Sequence, residues 1–210
     1  MKMVQMNRVN SCILLIASLV LVVTTVLHVS GTSFEIEQCS VSAFLRDDTK
    51  LGEYDAALAD FGTPLWGRLL TGELVFDEDD ARSGCSDSLY YSGSGGGEER
   101  IATKVALIKR GGCYYATKAL NAQRAGADAV IIYDDMQQDL HTMAKPQSSP
   151  DMMHIVENIT IPTVLVRKAS GEALLAALRA GEHVAIEFDF SESISNPDER
   201  VEWELWGSSR

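Results

Sequence analysis

After residue 33 the chain alternates short apolar runs with turn-forming residues, and the spacing predicts a mixed order of strands and helices. Leu74–Phe76, Val105–Ile108, Ala129–Tyr133, Ile161–Val166 and Val184–Phe190 are brief, aliphatic and bounded by polar or turn residues, as strands are. Only the last alternates cleanly, through Val184, Ile186, Phe188 and Phe190. Phe34–Val41 is a further candidate strand. Two segments repeat at helical spacing instead. Tyr114–Ala125 carries Ala116, Ala119, Leu120 and Gln123, with Gly126 at its C-terminal stop. Gly171–Ala180, capped by Ser170 and ended by Gly181, has an apolar face of Ala173, Leu174, Ala177 and Leu178. Val105–Tyr133 thus reads as strand, tight turn, helix, strand: a β-α-β unit with a right-handed crossover, in an α/β fold. Residues 43–72 and 135–157 are less periodic and read as loops with short elements. Ser86–Arg100 is polar and Gly-rich, the composition of a surface loop.

Residues 1–31 are of another kind. Lys2 and Arg8 precede an almost uninterrupted apolar stretch from Ile13 to Leu27, and Val29-Ser30-Gly31 supplies small residues after it. This is the three-part pattern of a secretory signal, cut near Gly31. The alternative is an uncleaved anchor, since Ile13 to Val29 is 17 residues, the lower limit for crossing a bilayer.

Composition narrows the function. The net charge is −12, which repels phosphate backbones and disfavours nucleic-acid binding. There is no His-x-x-x-His or Cys-x-x-Cys spacing, no Gly-x-Ser-x-Gly elbow and no phosphate loop, so no catalytic residue, metal or cofactor is expected. Entry into the secretory route permits disulfides. With Cys12 inside the signal, Cys39, Cys85 and Cys113 remain, so at most one intramolecular bridge forms and one thiol is left over. Pairing Cys85 with Cys113 would close a loop of about 29 residues, worth roughly 3.5 kcal/mol on chain-entropy grounds. Cys39 could equally be a buried free thiol. Asn158-Ile159-Thr160 is a glycosylation sequon.

The informative cluster is Lys109-Arg110-Gly111-Gly112-Cys113-Tyr114-Tyr115, at the end of a strand and the start of a helix. Free N–H groups and a positive helix terminus favour an anion there, and the planar Arg110 fork suits a carboxylate. The same residues also fit a plain reading, in which the glycines make a turn and Arg110 pairs with a neighbouring acid.

That turn, the run Asn121-Ala122-Gln123-Arg124-Ala125-Gly126-Ala127 and Asn158-Ile159-Thr160-Ile161-Pro162 together resemble the protease-associated (PA) domain, in particular the luminal N-terminal domain of plant-type vacuolar sorting receptors. Phe61-Gly62-Thr63-Pro64 and the stretch from Asn196 to Trp206 are similar to the same group, so the likeness extends over about residues 34–210. It implies a signal in 1–31, a PA domain of β-sheets flanked by helices in 34–190, and a receptor-like linker segment in 191–210. It also implies a non-catalytic module of the secretory lumen (ER, Golgi and vacuolar route) or a secreted one. Its partners would be peptide segments of soluble cargo proteins, with membrane contact only if the signal stays uncleaved or the chain is a fragment of a receptor. The implied peptide contacts are Glu37, Arg110 with Gly111 and Gly112, and the loop Thr142-Met143-Ala144-Lys145-Pro146. Arg110 would meet a carboxylate and Glu37 an amine or amide. Ala144 stands where the receptors have Asp, and Ala replaces a receptor Cys near Glu53–Ala57. The other organisation is a free-standing secreted PA-domain protein with an accessory role. Acid-triggered cargo release, with His141 beside the loop, is a further expectation.

Overall fold

The computed structural model describes residues 38–191 except 64, 66, 78–82, 87–102 and 146–149. The signal segment, Glu37, the Gly-rich stretch and the segment 192–210 lie outside the described residues. Seven strands, β1 (Gln38–Leu45), β2 (Lys50–Leu58), β3 (Leu69–Val75), β4 (Lys104–Lys109), β5 (Ala129–Tyr133), β6 (Thr163–Val166) and β7 (Val184–Asp189), close into a barrel in the order β1-β2-β6-β5-β4-β3-β7. Among the described residues three helices accompany them: α1 (Tyr115–Arg124), α2 (Pro150–Glu157) and α3 (Lys168–Arg179).

The β3–β4, β4–β5 and β5–β6 pairs are parallel and the other four antiparallel. Parallel neighbours need a crossover, and α1 supplies it between β4 and β5. The expected β-α-β unit is therefore present. Strands under such crossovers are covered on both faces, which is why β5 reads Ala-Val-Ile-Ile-Tyr with every residue buried. Alternate residues feed two clusters. One draws on all seven strands, including Val41, Leu58, Leu74, Leu107, Ile131, Val164 and Phe188, and is completed by Leu174 and Leu175 of α3. The other gathers Ile108, Val130, Ile132 and Leu165 against Ala116, Ala119 and Leu120 of α1.

Three sequence expectations are corrected. The hairpin partner β2 and the helix α2 fall in stretches read as loops. In β2 the exposed residues are Lys50, Leu51, Glu53 and Asp55, and only Ala56-Ala57-Leu58 are fully buried, so small and charged residues conceal the strand period. α3 begins at Lys168 with Arg167 as N-cap and no side-chain cap, which puts Ser170 inside the first turn instead of at the cap. The glycine stops hold: Gly126 and Gly181 adopt φ of 88° and 84°, the left-handed region open to glycine. Cys39 is a buried free thiol in β1, its pKa pushed up to about 12 by burial and then by the charge of Asp189.

Gly171 of α3 is packed against β5 so closely that a methyl group there would overlap the Tyr133 side chain. Gly171→Ala is therefore expected to lower stability by roughly 1–3 kcal/mol, although alanine gains ~1 kcal/mol over glycine in a helix interior. A reduced urea midpoint at unchanged m-value would show it; an unchanged or higher midpoint would mean that α3 can move off the strand.

Candidate functional site

The turn after β4 is held from both sides. Gly111 and Gly112 have φ of 105° and 83°, and a Cβ on Gly112 would press on Cys85 Sγ at 3.0 Å. Cys85 and Cys113 form a disulfide, the pairing considered from the sequence, and Cys39 is the thiol left over. The segment that brings Cys85 there is fastened by α1. Lys118, with no exposed surface, donates to the Ser83 carbonyl and lies 3.5 Å from Cys85 Sγ, while Asn121 Nδ2 donates to the Gly84 carbonyl at 3.2 Å. These two side chains face a loop far away in sequence, so their helical spacing alone gave no sign of the task.

Arg110 is ion-paired within the protein. Its Nη1 donates to both Asp134 carboxylate oxygens, at 2.9 and 3.1 Å, and its Nε lies 3.7 Å from Asp135 Oδ1. The guanidinium carbon sits 5.9 Å above the Tyr115 ring, a cation–π arrangement. Asp134 is 2% exposed and also accepts from the Met136 N–H at 3.0 Å and the Gln138 amide at 2.6 Å. Burial raises the Asp134 pKa, but these hydrogen bonds and the Arg110 charge outweigh it and hold the carboxyl below its ordinary value. For Arg110 burial works the other way, lowering its pKa, and the bond to Asp134 prevails to raise it. The carboxylate that Arg110 grips is thus one of the chain's own, as the plain reading of the turn allowed. In the sequence, Asp134-Asp135 showed only as the polar stop of a strand.

The remaining expected site residues are distributed unevenly. Thr142 is exposed on its loop, whereas the Met143 side chain is fully buried in the second core cluster and cannot line a groove. Met143 instead anchors the loop: it bridges Ala59, and its carbonyl accepts from Asp60 N–H at 3.2 Å. His141 connects that loop to the turn, with Nε2 3.3 Å from the Tyr115 hydroxyl. Glu37 lies outside the described residues. Its neighbour Gln38 begins β1, which β2, β6 and β5 separate from β4 on one side and β7 and β3 on the other. Asn158 is exposed, its amide bonded to His154 at the end of α2. Among the described residues, no group of three or more His, Cys, Asp or Glu could hold a metal ion, and no helix is long and apolar enough to cross a membrane.

An α/β barrel whose parallel β-α-β unit carries a disulfide-clipped Arg-Gly-Gly-Cys turn defines the class of domain. The PA domain family matches residues 70–174, half of the chain, and the chain belongs to that family. It is 36% identical over 180 residues to vacuolar-sorting receptor 1 of Pisum sativum, covering 86% of this chain and 28% of the receptor. With vacuolar-sorting receptor 3 of Arabidopsis thaliana it shares 35% identity over 191 residues, 91% of this chain and 30% of the receptor. The chain therefore spans less than a third of the length of these relatives. An aminopeptidase from Aneurinibacillus sp. strain AM-1 superposes on 74% of this chain and 31% of its own, with a TM-score of 0.48 at 22% identity, too slight a likeness to transfer an activity.

The pH response of the Arg110–Asp134 pair has a definite sign. Because the folded pKa of Asp134 is depressed, its contribution is present above the unfolded value near 3.9 and is lost as pH falls through the folded value. Asp134→Asn is expected to lower stability by roughly 1–3 kcal/mol at pH 7, the gap to the unsubstituted protein narrowing below about pH 4. Denaturant titrations at pH 7 and pH 3 check this, and an equal gap at both would exclude the ionised carboxylate as its source.

Proposed function

We propose that this chain supplies a non-catalytic binding module of the secretory lumen that recognises peptide sorting determinants of soluble cargo proteins. The similarity to vacuolar-sorting receptors over most of the chain supports the reading, and the single structural observation that carries it is the clipped turn at Arg110–Cys113. Such a turn suits recognition because its backbone is set before a ligand arrives, so less ordering entropy opposes binding. The contacts assigned to an extended peptide are Glu37, Arg110, the exposed backbone of Gly111 and Gly112, and Thr142, with Met143 holding the Thr142 loop from below. Residues 1–31 direct the chain into the secretory route, 34–190 form the binding module, 191–210 are a receptor-like linker, and Asn158 carries a glycan.

Arg110→Ala is an ambiguous probe of this site, since it leaves Asp134 buried without its cation. Thr142→Arg is cleaner: it puts a bulky charge on an exposed loop and leaves the pair intact. Titration of the folded chain with peptides from soluble vacuolar proteins is expected to saturate, and Thr142→Arg to weaken binding about tenfold, the loss of ~1.4 kcal/mol. Saturable binding that neither variant changes would move the site off this turn. Expression through a secretory host is expected to give a glycoprotein, and Asn158→Gln a product lighter by one glycan on gel mobility; identical mobility would remove the modification.

A further inference from the structure

The charge arrangement at the turn points to a ligand chemistry different from the one its arginine suggests. This inference rests on the turn being the peptide site. Arg110 is one positive charge facing two negative ones, Asp134 and Asp135. Asp134 is fully engaged, as its three donors and its burial show. Asp135 is not. Its Oδ1 is buried without a hydrogen bond, its sole ionic contact among the described residues is the 3.7 Å approach of Arg110 Nε, and its side chain keeps 38% of its surface exposed. The other oxygen, Oδ2, lies 3.8 Å from where a Gly111 Cβ would stand, and no other heavy atom outside the turn comes within 4 Å of that point. Large apolar side chains also remain exposed next in sequence to Cys113 and Asp135: Tyr114 at 63% and Met136 at 51%.

A peptide carboxylate entering here would have to displace Asp134 from Arg110 and lie against the like charge of Asp135. A cation would meet a carboxylate already oriented by Arg110 and would break no existing contact. We propose that the group read at this turn is an ammonium or guanidinium of an extended peptide, with Asp135 as its specificity-determining partner and Tyr114 and Met136 receiving an adjacent apolar side chain. On this inference Arg110, assigned above as a direct peptide contact, acts instead as a positioning residue: it holds Asp135 from the inside while the ligand's cation approaches from the outside.

A library of end-blocked octapeptides, randomised at four central positions and passed over the immobilised full chain, tests this. Retained peptides are expected to be enriched at least fivefold in Lys and Arg over Asp and Glu at one position, with an apolar residue beside it, and the enrichment to shrink at 0.5 M salt as a surface-accessible charge contact must. Asp135→Asn, checked for an unchanged melting temperature, is expected to abolish the enrichment. Should that variant fail to fold, the salt series on the unsubstituted chain decides. The same library with a free amino terminus separates a side-chain cation from a terminal ammonium: a Lys and Arg preference that persists when the terminus is free assigns the side chain, and loss of that preference when the terminus is free assigns the terminus. Enrichment of Asp and Glu, or a Lys and Arg preference that survives in Asp135→Asn or at high salt, overturns the assignment of Asp135 and leaves the peptide site standing. Retention of no peptide at all overturns the peptide site itself, and this inference with it.

Discussion

Where β4 and β5 end side by side, a partly exposed guanidinium is held 2.9 Å from a carboxylate that has almost no access to water, and the layout of the neighbouring turn follows from that pair. A buried carboxylate is unfavourable unless it is hydrogen-bonded on every side, so Asp134 draws in the Met136 N–H and the Gln138 amide as well as Arg110. Satisfying one ion thereby fixes the path of two chain segments, the one entering α1 and the one leaving β5. Tyr115 lies under the guanidinium and passes the constraint on to His141 and its loop.

The pair is reinforced from the opposite direction by covalent chemistry and a buried lysine. Lys118 and Asn121 fasten the Ser83 and Gly84 carbonyls to α1, and the disulfide ties that segment to the residue just beyond the two glycines. Neither restraint alone would be enough. Two consecutive residues at positive φ have no side chains to pack and a large entropy to lose on ordering, and a turn made of them is reproducible only when both flanks are anchored.

Much of this architecture could be read from the residues. The five apolar runs from Leu74 onward all meet strands, and Tyr114–Ala125 with Gly126 gives α1 to within a residue, because burial on both faces and a glycine stop leave strong periodic signals. β2 escaped because its exposed half is charged and its buried half is two alanines and a leucine, and α2 because it is two turns long. Closure into a barrel depends on the β1–β7 and β3–β7 pairings, contacts between segments more than 100 residues apart that no local pattern encodes. The site was half legible. Arg110 and the glycines stood out by type and spacing, but the partner of Arg110 lies 24 residues away and showed only as a polar stop, and Met143 gave no hint that its side chain turns into the core.

β2 has one more property worth drawing out. It pairs with β6 only through Ala56–Leu58, so the stretch Lys50–Asp55 has β1 on one flank and no β6 partner on the other. A rim of this sort could template the addition of a foreign strand, the first step of intermolecular aggregation. Here it displays Lys50, Glu53 and Asp55, with charges of both signs that an arriving backbone would have to strip of water. The weak strand signal that hid β2 in the sequence thus comes from the same charged side chains that oppose strand addition along this rim.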